Sequence, residues 1–373
     1  MHLHTYKHYL NGRYFNYLLF SVFSILYLGN HQADLVYLTL HRVLHIPFPY
    51  SPWAAAFVLT LLLNVLTWAL SRVFRLPDGW HALLFIPAFL TLALLTALLP
   101  TVSQVVIATT TMACAVWLYV VTVCRKRMTM SSNVRRHIRN SLMVFLACFL
   151  YVTFFSNNND IYHYRLRTER LIAENRYDDA LGVARKELAT SPVLTQLRAY
   201  ALAKSEKMGE HLFEYPLPEG TYPLFLNPET GTEGFLPADS IKSFYSSLWS
   251  GTWPSILTWK GVHPARLSLP QADYWLCSLL MHKDLSRFVQ WLPRFYDVRK
   301  AERQVELPKH YREALVLYMA RAVHPAWLYH HAQTEANYHD FMELSRQYTD
   351  VRMRKNYTRR MYGNTYFWYF YHG

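Results

Sequence analysis

SLMVFLACFLYVTFFSNNND, residues 141–160, is where this chain changes character. Ser141–Phe155 carries no charge and approaches the ~20 apolar residues that take a helix across a bilayer. Three asparagines and Asp160 follow, and from there acids and bases are interspersed as in a soluble domain. The 373 residues thus divide into an apolar part, 1–156, and a polar part, 157–373.

Upstream lie four more apolar stretches: Tyr14–Gly29, Trp53–Phe74, Ala82–Leu99 and Ser103–Cys124. With Ser141–Phe155 they predict a bundle of five transmembrane helices. The first is not a cleavable signal peptide, because no small-x-small pattern precedes Asn30 and more spans follow. Pro87 is expected to kink the third. His2, His4 and His8 read as a short cytoplasmic tail.

The net charge of +13 is uneven. Residues 1–156 hold 11 Lys/Arg and only Asp34 and Asp78, whereas 157–373 hold 27 Lys/Arg and 23 Asp/Glu. With the N-terminus in the cytoplasm, inner segments carry Lys7, Arg13, Arg72, Arg75, Arg125, Lys126, Arg127, Arg135, Arg136 and Arg139. The outer loops carry only Arg42. Basic residues are retained on the inner face, so this orientation is expected. Five passages then place 157–373 outside, in the periplasm of a bacterial inner membrane. On that count, an error of one span returns the domain to the cytoplasm. No zinc-finger spacing or RNA-binding motif accompanies the charge, so no nucleic-acid partner is expected.

The spans hold no ionisable group, only Asn64, Thr67, Gln104 and Thr109–Thr111 as the main polar residues. These suit contacts between helices rather than a proton path. Residues 31–46, HQADLVYLTLHRVLHI, predict an amphipathic interfacial helix with Asp34 as its cap and His31, His41 and His45 along it. An acid in a first outer loop beside such a helix resembles the GT-C type glycosyltransferases. There the loop acid is catalytic, so the resemblance makes Asp34 a catalytic candidate for a lipid-linked substrate. The chain departs from that family in having few spans and no second matching acid.

In the polar part, NRYDDALGVARKELATSP, Asn175–Pro192, places Tyr177 after a turn, Ala180 three residues on and Pro192 at the close. Ala180 lets two helices approach, Tyr177 fills the gap between neighbours, and Pro192 opens a helix where its missing N–H costs nothing. The stretch resembles the second half of a tetratricopeptide repeat, with 161–174 as the first helix. Ala184 and Glu187 depart from the family pattern. A second partial match is His310–Leu315, with Tyr311 and Ala314 in the packing positions. Ala272–His282 and Asp284–Tyr296 predict a further helix pair. The resemblance implies an all-α, TPR-like domain whose concave surface binds a protein or peptide.

Residues 214–268 break the helical pattern with Pro, Gly and aromatics, including Tyr215, Phe235, Trp249, Trp253 and Trp259. So long a stretch predicts an ordered insertion with short helices such as Ser240–Leu248. Its aromatics suit packing onto the domain more than a binding lip. At the end, Arg352, Arg354, Lys355, Arg359 and Arg360 precede the run Tyr366–Tyr371. Two readings stand: contact with anionic headgroups, or a last element docked into the core.

Chemistry is sparse. His331, Glu335 and His339, spaced by four, are candidate metal ligands on one helical face or a solvated polar stripe. No GxSxG elbow, P-loop, GxGxxG turn or HExxH pattern is present. Cys114, Cys124, Cys148 and Cys277 form no CxxC pair, and Cys277 reads as core. The expectation is a membrane-anchored scaffold without cofactor, whose partners are membrane lipids and a protein or peptide.

Overall fold

The computed structural model describes residues 2–44, 51–97, 104–124, 134–226, 235–246, 267–298, 307–326 and 328–373. Among these residues the fold is all-helical, without strands. Two compact units divide at 160/161: Met1–Asp160 and Ile161–Gly373.

The first unit contains α1 (His2–Leu26), α2 (Ala33–Leu44), α3 (Pro52–Phe74), α4 (Ile86–Ala97), α5 (Gln104–Cys124) and α6 (Val134–Phe155). Among the described residues, four helical stretches are long and apolar enough to cross a membrane: Pro52–Phe74, Gly79–Ala97, Val106–Val123 and Ile138–Phe155. Each starts or stops for a local reason. Ser51 caps α3, its Oγ accepting from Ala54 N at 3.4 Å, and Pro52 occupies the first turn. Pro87 does not kink a continuous helix. Residues Asp78–Phe85 form a 3-10 helix, and Pro87 sits in the first turn of α4. Lacking an N–H, Pro87 cannot bond the Leu83 carbonyl four residues back. That oxygen accepts the Ile86 amide and, in addition, the Trp117 indole N–H of α5 at 2.8 Å.

The first expected stretch, Tyr14–Gly29, is helical in α1 and continues as a π-helical turn, Tyr27–His31. It is not one of those four stretches. The backbone is already helical at His2. The α1 helix runs antiparallel to α3. Gly29 meets the Trp53 ring so closely that a Cβ there would lie 2.8 Å from it. Thr60 donates to Ser24 at 3.1 Å, and Asn64 to Ser21 at 2.9 Å. Phe20, Phe85, Phe89 and Phe145 fill the core between helices, with Phe20 edge-on to Phe89.

The α2 helix differs from the expected interfacial one. Ala33 through Leu38 are all buried, so its first half has no solvent face. His45 lies outside the described residues.

The second unit repeats one local device three times. Helices α7 (Asp160–Ala173), α9 (Pro192–Lys204) and α12 (Leu269–Met281) each lead into a left-handed residue and a shorter helix: α8 (Tyr177–Gly182), α10 (Met208–His211) and α13 (Leu285–Trp291). The left-handed residues are Asn175, Glu206 and Lys283, with φ of 59°, 58° and 60°. At each, paired amides close the helix end: Arg176 N to Leu171 O, Lys207 N to Leu202 O, and Asp284 N to Leu279 O. This is the Schellman arrangement, here without glycine.

The expected long helix from Tyr177 to Pro192 is only α8. After Gly182, Val183 turns extended and Ala184 is left-handed at φ 48°. The buried Arg198 guanidinium donates to the carbonyls of Val183 and Ala184 at 3.1 and 3.2 Å, and Ala184 O also accepts the Glu187 amide in a turn at 3.1 Å. Pro192 opens α9, capped by Ser191. The described part of the insertion packs inward: Tyr215, Phe225, Phe235 and Phe244 are buried, and Tyr274 OH donates to Leu224 O at 2.6 Å. Its helix is α11, Ala238–Ser246. Trp249, Trp253 and Trp259 lie outside the described residues.

Helices α14 (Lys309–Arg321), α15 (Ala332–Gln347), α16 (Val351–Tyr362) and α17 (Tyr366–His372) complete the unit. The aromatic tail docks into the core. Tyr366 and Phe367 are fully buried, and the hydroxyls of Tyr366 and Tyr369 donate to the carbonyls of Leu280 and Met281. Buried Glu313 accepts the Tyr366 amide at 2.7 Å and pairs with His310 at 2.8 Å.

The exposed turn at Glu206 predicts a specific stability difference. A left-handed residue with a Cβ is disfavoured by ~1 kcal/mol or more. Glu206→Gly should therefore be more stable than Glu206→Ala by about 1 kcal/mol in unfolding of the detergent-solubilised chain.

Candidate functional site: a basic cleft

The α16 helix, VRMRKNYTRRMY, holds five cations and no acid. Asp350 caps it, accepting from Met353 N at 2.8 Å, and Arg354 anchors its start to the carbonyls of Tyr348 and Thr349. Thr365 caps α17 in the same way, accepting from Trp368 N. The two helices meet at Trp368. Lys355 and Arg359 lie over its ring at 5.6 and 5.1 Å, and its indole N–H donates to Lys355 O.

Across from them stand two irregular segments, Arg185–Leu188 and Phe213–Pro218. Between these walls lies a cleft of about 620 Å³. Its charged lining is Arg185, Lys186, Lys355, Arg359 and Arg360 against Glu187 and Glu214, an excess of three positive charges. Arg185 is bonded to Glu214 at 2.6 Å. Burial pushes the Glu214 carboxyl up, but Arg185, His211 and Lys309 outweigh it and hold the group below its ordinary value. His372 also lines the cleft, and burial with Lys355, Arg354 and Lys283 pushes its imidazole down. Leu188 and Met361 are exposed among the lining residues. The arrangement suits an extended anionic ligand with apolar side chains: cations supply attraction, and Trp368 and the exposed apolar residues supply area.

The other candidates fall elsewhere. Asp34 is in the first turn of α2 rather than at its cap and is 9% exposed. His331, Glu335 and His339 do not converge. His331 precedes α15 and caps it, its Nδ1 accepting from Thr334 N at 3.2 Å, while Glu335 accepts from His331 N. A cap lies outside the helical spacing, so the stripe loses its first member. His339 instead approaches Asp340 and Glu343, all exposed. Ala180, Tyr311 and Ala314 are fully buried, and Tyr177 packs against the core, so these are packing residues. The cleft was missed because its walls are far apart in sequence. The acid-free run Val351–Tyr362 was the available signal.

One buried titratable group stands behind α12. Asp273 accepts hydroxyl protons from Tyr296 at 2.6 Å and Tyr311 at 2.8 Å. Burial pushes its carboxyl up to about 6, against the lowering effect of the two tyrosines. A raised carboxyl favours the protonated folded state, so its contribution is present near pH 4 and lost as pH rises through 6. Asp273→Asn removes this dependence. The stability of Asp273→Asn relative to wild type should rise by on the order of 2–3 kcal/mol from pH 4 to pH 7.5 in thermal or denaturant unfolding.

The comparisons with known proteins bear on one wall of this cleft. No curated protein and no solved structure matches the chain. A family of unknown function (DUF6057) matches residues 270–373, the stretch that contains Lys355, Arg359, Arg360 and Trp368.

Proposed function

We propose that this protein is a membrane-anchored adaptor whose TPR-like domain binds an acidic segment of a partner protein in the basic cleft. The observation that carries it is the cleft itself: net positive, aromatic-floored and open between α16–α17 and two irregular segments. The TPR-like reading is supported by the recurrence of helix, left-handed turn and second helix at Asn175, Glu206 and Lys283. Stacked pairs of this kind build concave binding faces.

The anchor is read as a five-helix bundle in a bacterial inner membrane. The fifth passage is α1, which stays in antiparallel register with α3 from Gly29/Trp53 to Ser21/Asn64 and turns Leu18, Val22 and Leu26 outward. The sidedness of the domain does not depend on α1. Four passages follow residue 51, so residues 157–373 share a side with the loop holding Arg42 whether or not α1 crosses. The opposite loops hold Arg72, Arg75 and the Arg125–Arg139 group, which points to the cytoplasm. This corrects the expectation that losing one span would invert the domain: losing the first inverts only the N-terminus.

The rival GT-C type reading needs Asp34 open to a lipid-linked substrate, and its 9% exposure offers little access.

Two experiments test the proposal. A periplasmic reporter enzyme fused after Gly373 should be active, and activity of only a cytoplasmic reporter would overturn the sidedness. Arg359→Glu combined with Lys186→Glu should reduce partner protein co-purified in mild detergent by at least about tenfold. Unchanged recovery, or capture of lipid or glycan alone, would overturn the cleft reading.

A further inference from the structure

The α16 helix has a second side, turned away from the cleft. Along it Met353 and Tyr357, four residues apart, are 57% and 47% exposed, and neither lines the cleft. Arg352 and Asn356 flank this stripe and are exposed as well. Of the other cations of the helix, Arg354 is engaged with backbone carbonyls, Lys355 and Arg359 with Trp368, and Arg360 lines the cleft. The stripe itself is held in place, since Tyr357 stacks on Tyr348 at 4.4 Å. No carboxylate lies anywhere from Val351 to Tyr362.

An exposed stripe of methionine and tyrosine on an acid-free basic helix suits the headgroup layer of an anionic bilayer. The Met353 thioether and the Tyr357 ring enter the interface, and Arg352 meets the phosphates. Chain connectivity favours lipid over a protein as the occupant. The last apolar helix ends at Phe155 and α7 opens at Asp160, so only residues 156–159 separate the bilayer-spanning helix from the next element. A tether this short gives the bilayer surface a high effective concentration, so a small amphipathic face suffices for contact.

We propose that the outward face of α16, with Arg352, Met353 and Tyr357 at its centre, lies against anionic phospholipid and is a lipid-contact surface separate from the cleft. The test uses the full chain in nanodiscs of phosphatidylcholine alone, or with about one-third phosphatidylglycerol. Hydroxyl-radical oxidation of Met353, read by mass spectrometry, should be at least about threefold slower in the anionic discs. Salt at about 0.5 M should restore the rate. Arg352→Glu with Asn356→Glu should abolish the difference, while Arg359→Glu in the cleft should leave it intact. Equal oxidation in both lipids, or a difference that survives Arg352→Glu/Asn356→Glu, overturns the proposal. Protection that arises only with a co-purified protein, in either lipid, also overturns it and assigns the face to that protein.

Discussion

Glu313 holds the second unit in its functional shape. Its carboxylate, inside the core, takes the first amide of α17 and a nitrogen of His310. A helix start leaves amides without intrahelical partners, and a buried start requires acceptors from elsewhere. With that requirement met, Tyr366 and Phe367 can be fully buried, and Trp368 is presented beside Lys355 and Arg359. The basic wall of the cleft is therefore a consequence of one buried carboxylate placed beneath a short aromatic helix.

The same rule of satisfied backbone groups organises the membrane half. Pro87 withdraws a donor from Leu83, and Trp117 on another helix supplies one. Ser21, Ser24, Thr60 and Asn64 pair with one another instead of facing lipid. These polar residues have partners between helices, which accounts for them without a transport path. The anchor and the cleft thus solve one problem in two media. In lipid the helices donate to each other, and in the second unit carboxylates and capping side chains receive the exposed ends.

The two sides of α16 have different surroundings. One side sets cations around an aromatic floor and is paired with distant loops. The other leaves Met353 and Tyr357 in the open. A helix with no acid in twelve residues repels nothing anionic, which suits both the proposed acidic segment and the proposed phospholipid contact.

Much of this was legible in the linear pattern. Uncharged runs of membrane length, the basic loops, Pro192 at a helix start and the burial of Ala180, Tyr311 and Ala314 follow from local composition and period. Other features were not. The helix expected beyond Gly182 gives way to a left-handed Ala184, where Arg198 from the following helix binds the Val183 and Ala184 carbonyls. His331 leaves the expected metal stripe because it caps α15. The basic tail docks through Tyr366 and leaves one side of α16 for a cleft whose far wall lies some 170 residues earlier. Sequence alone determined what each segment prefers, since propensity and hydropathy are local quantities. Only the tertiary structure decided which segments meet, because a carbonyl, a carboxylate or an indole finds its partner across distances in the chain that no local pattern encodes.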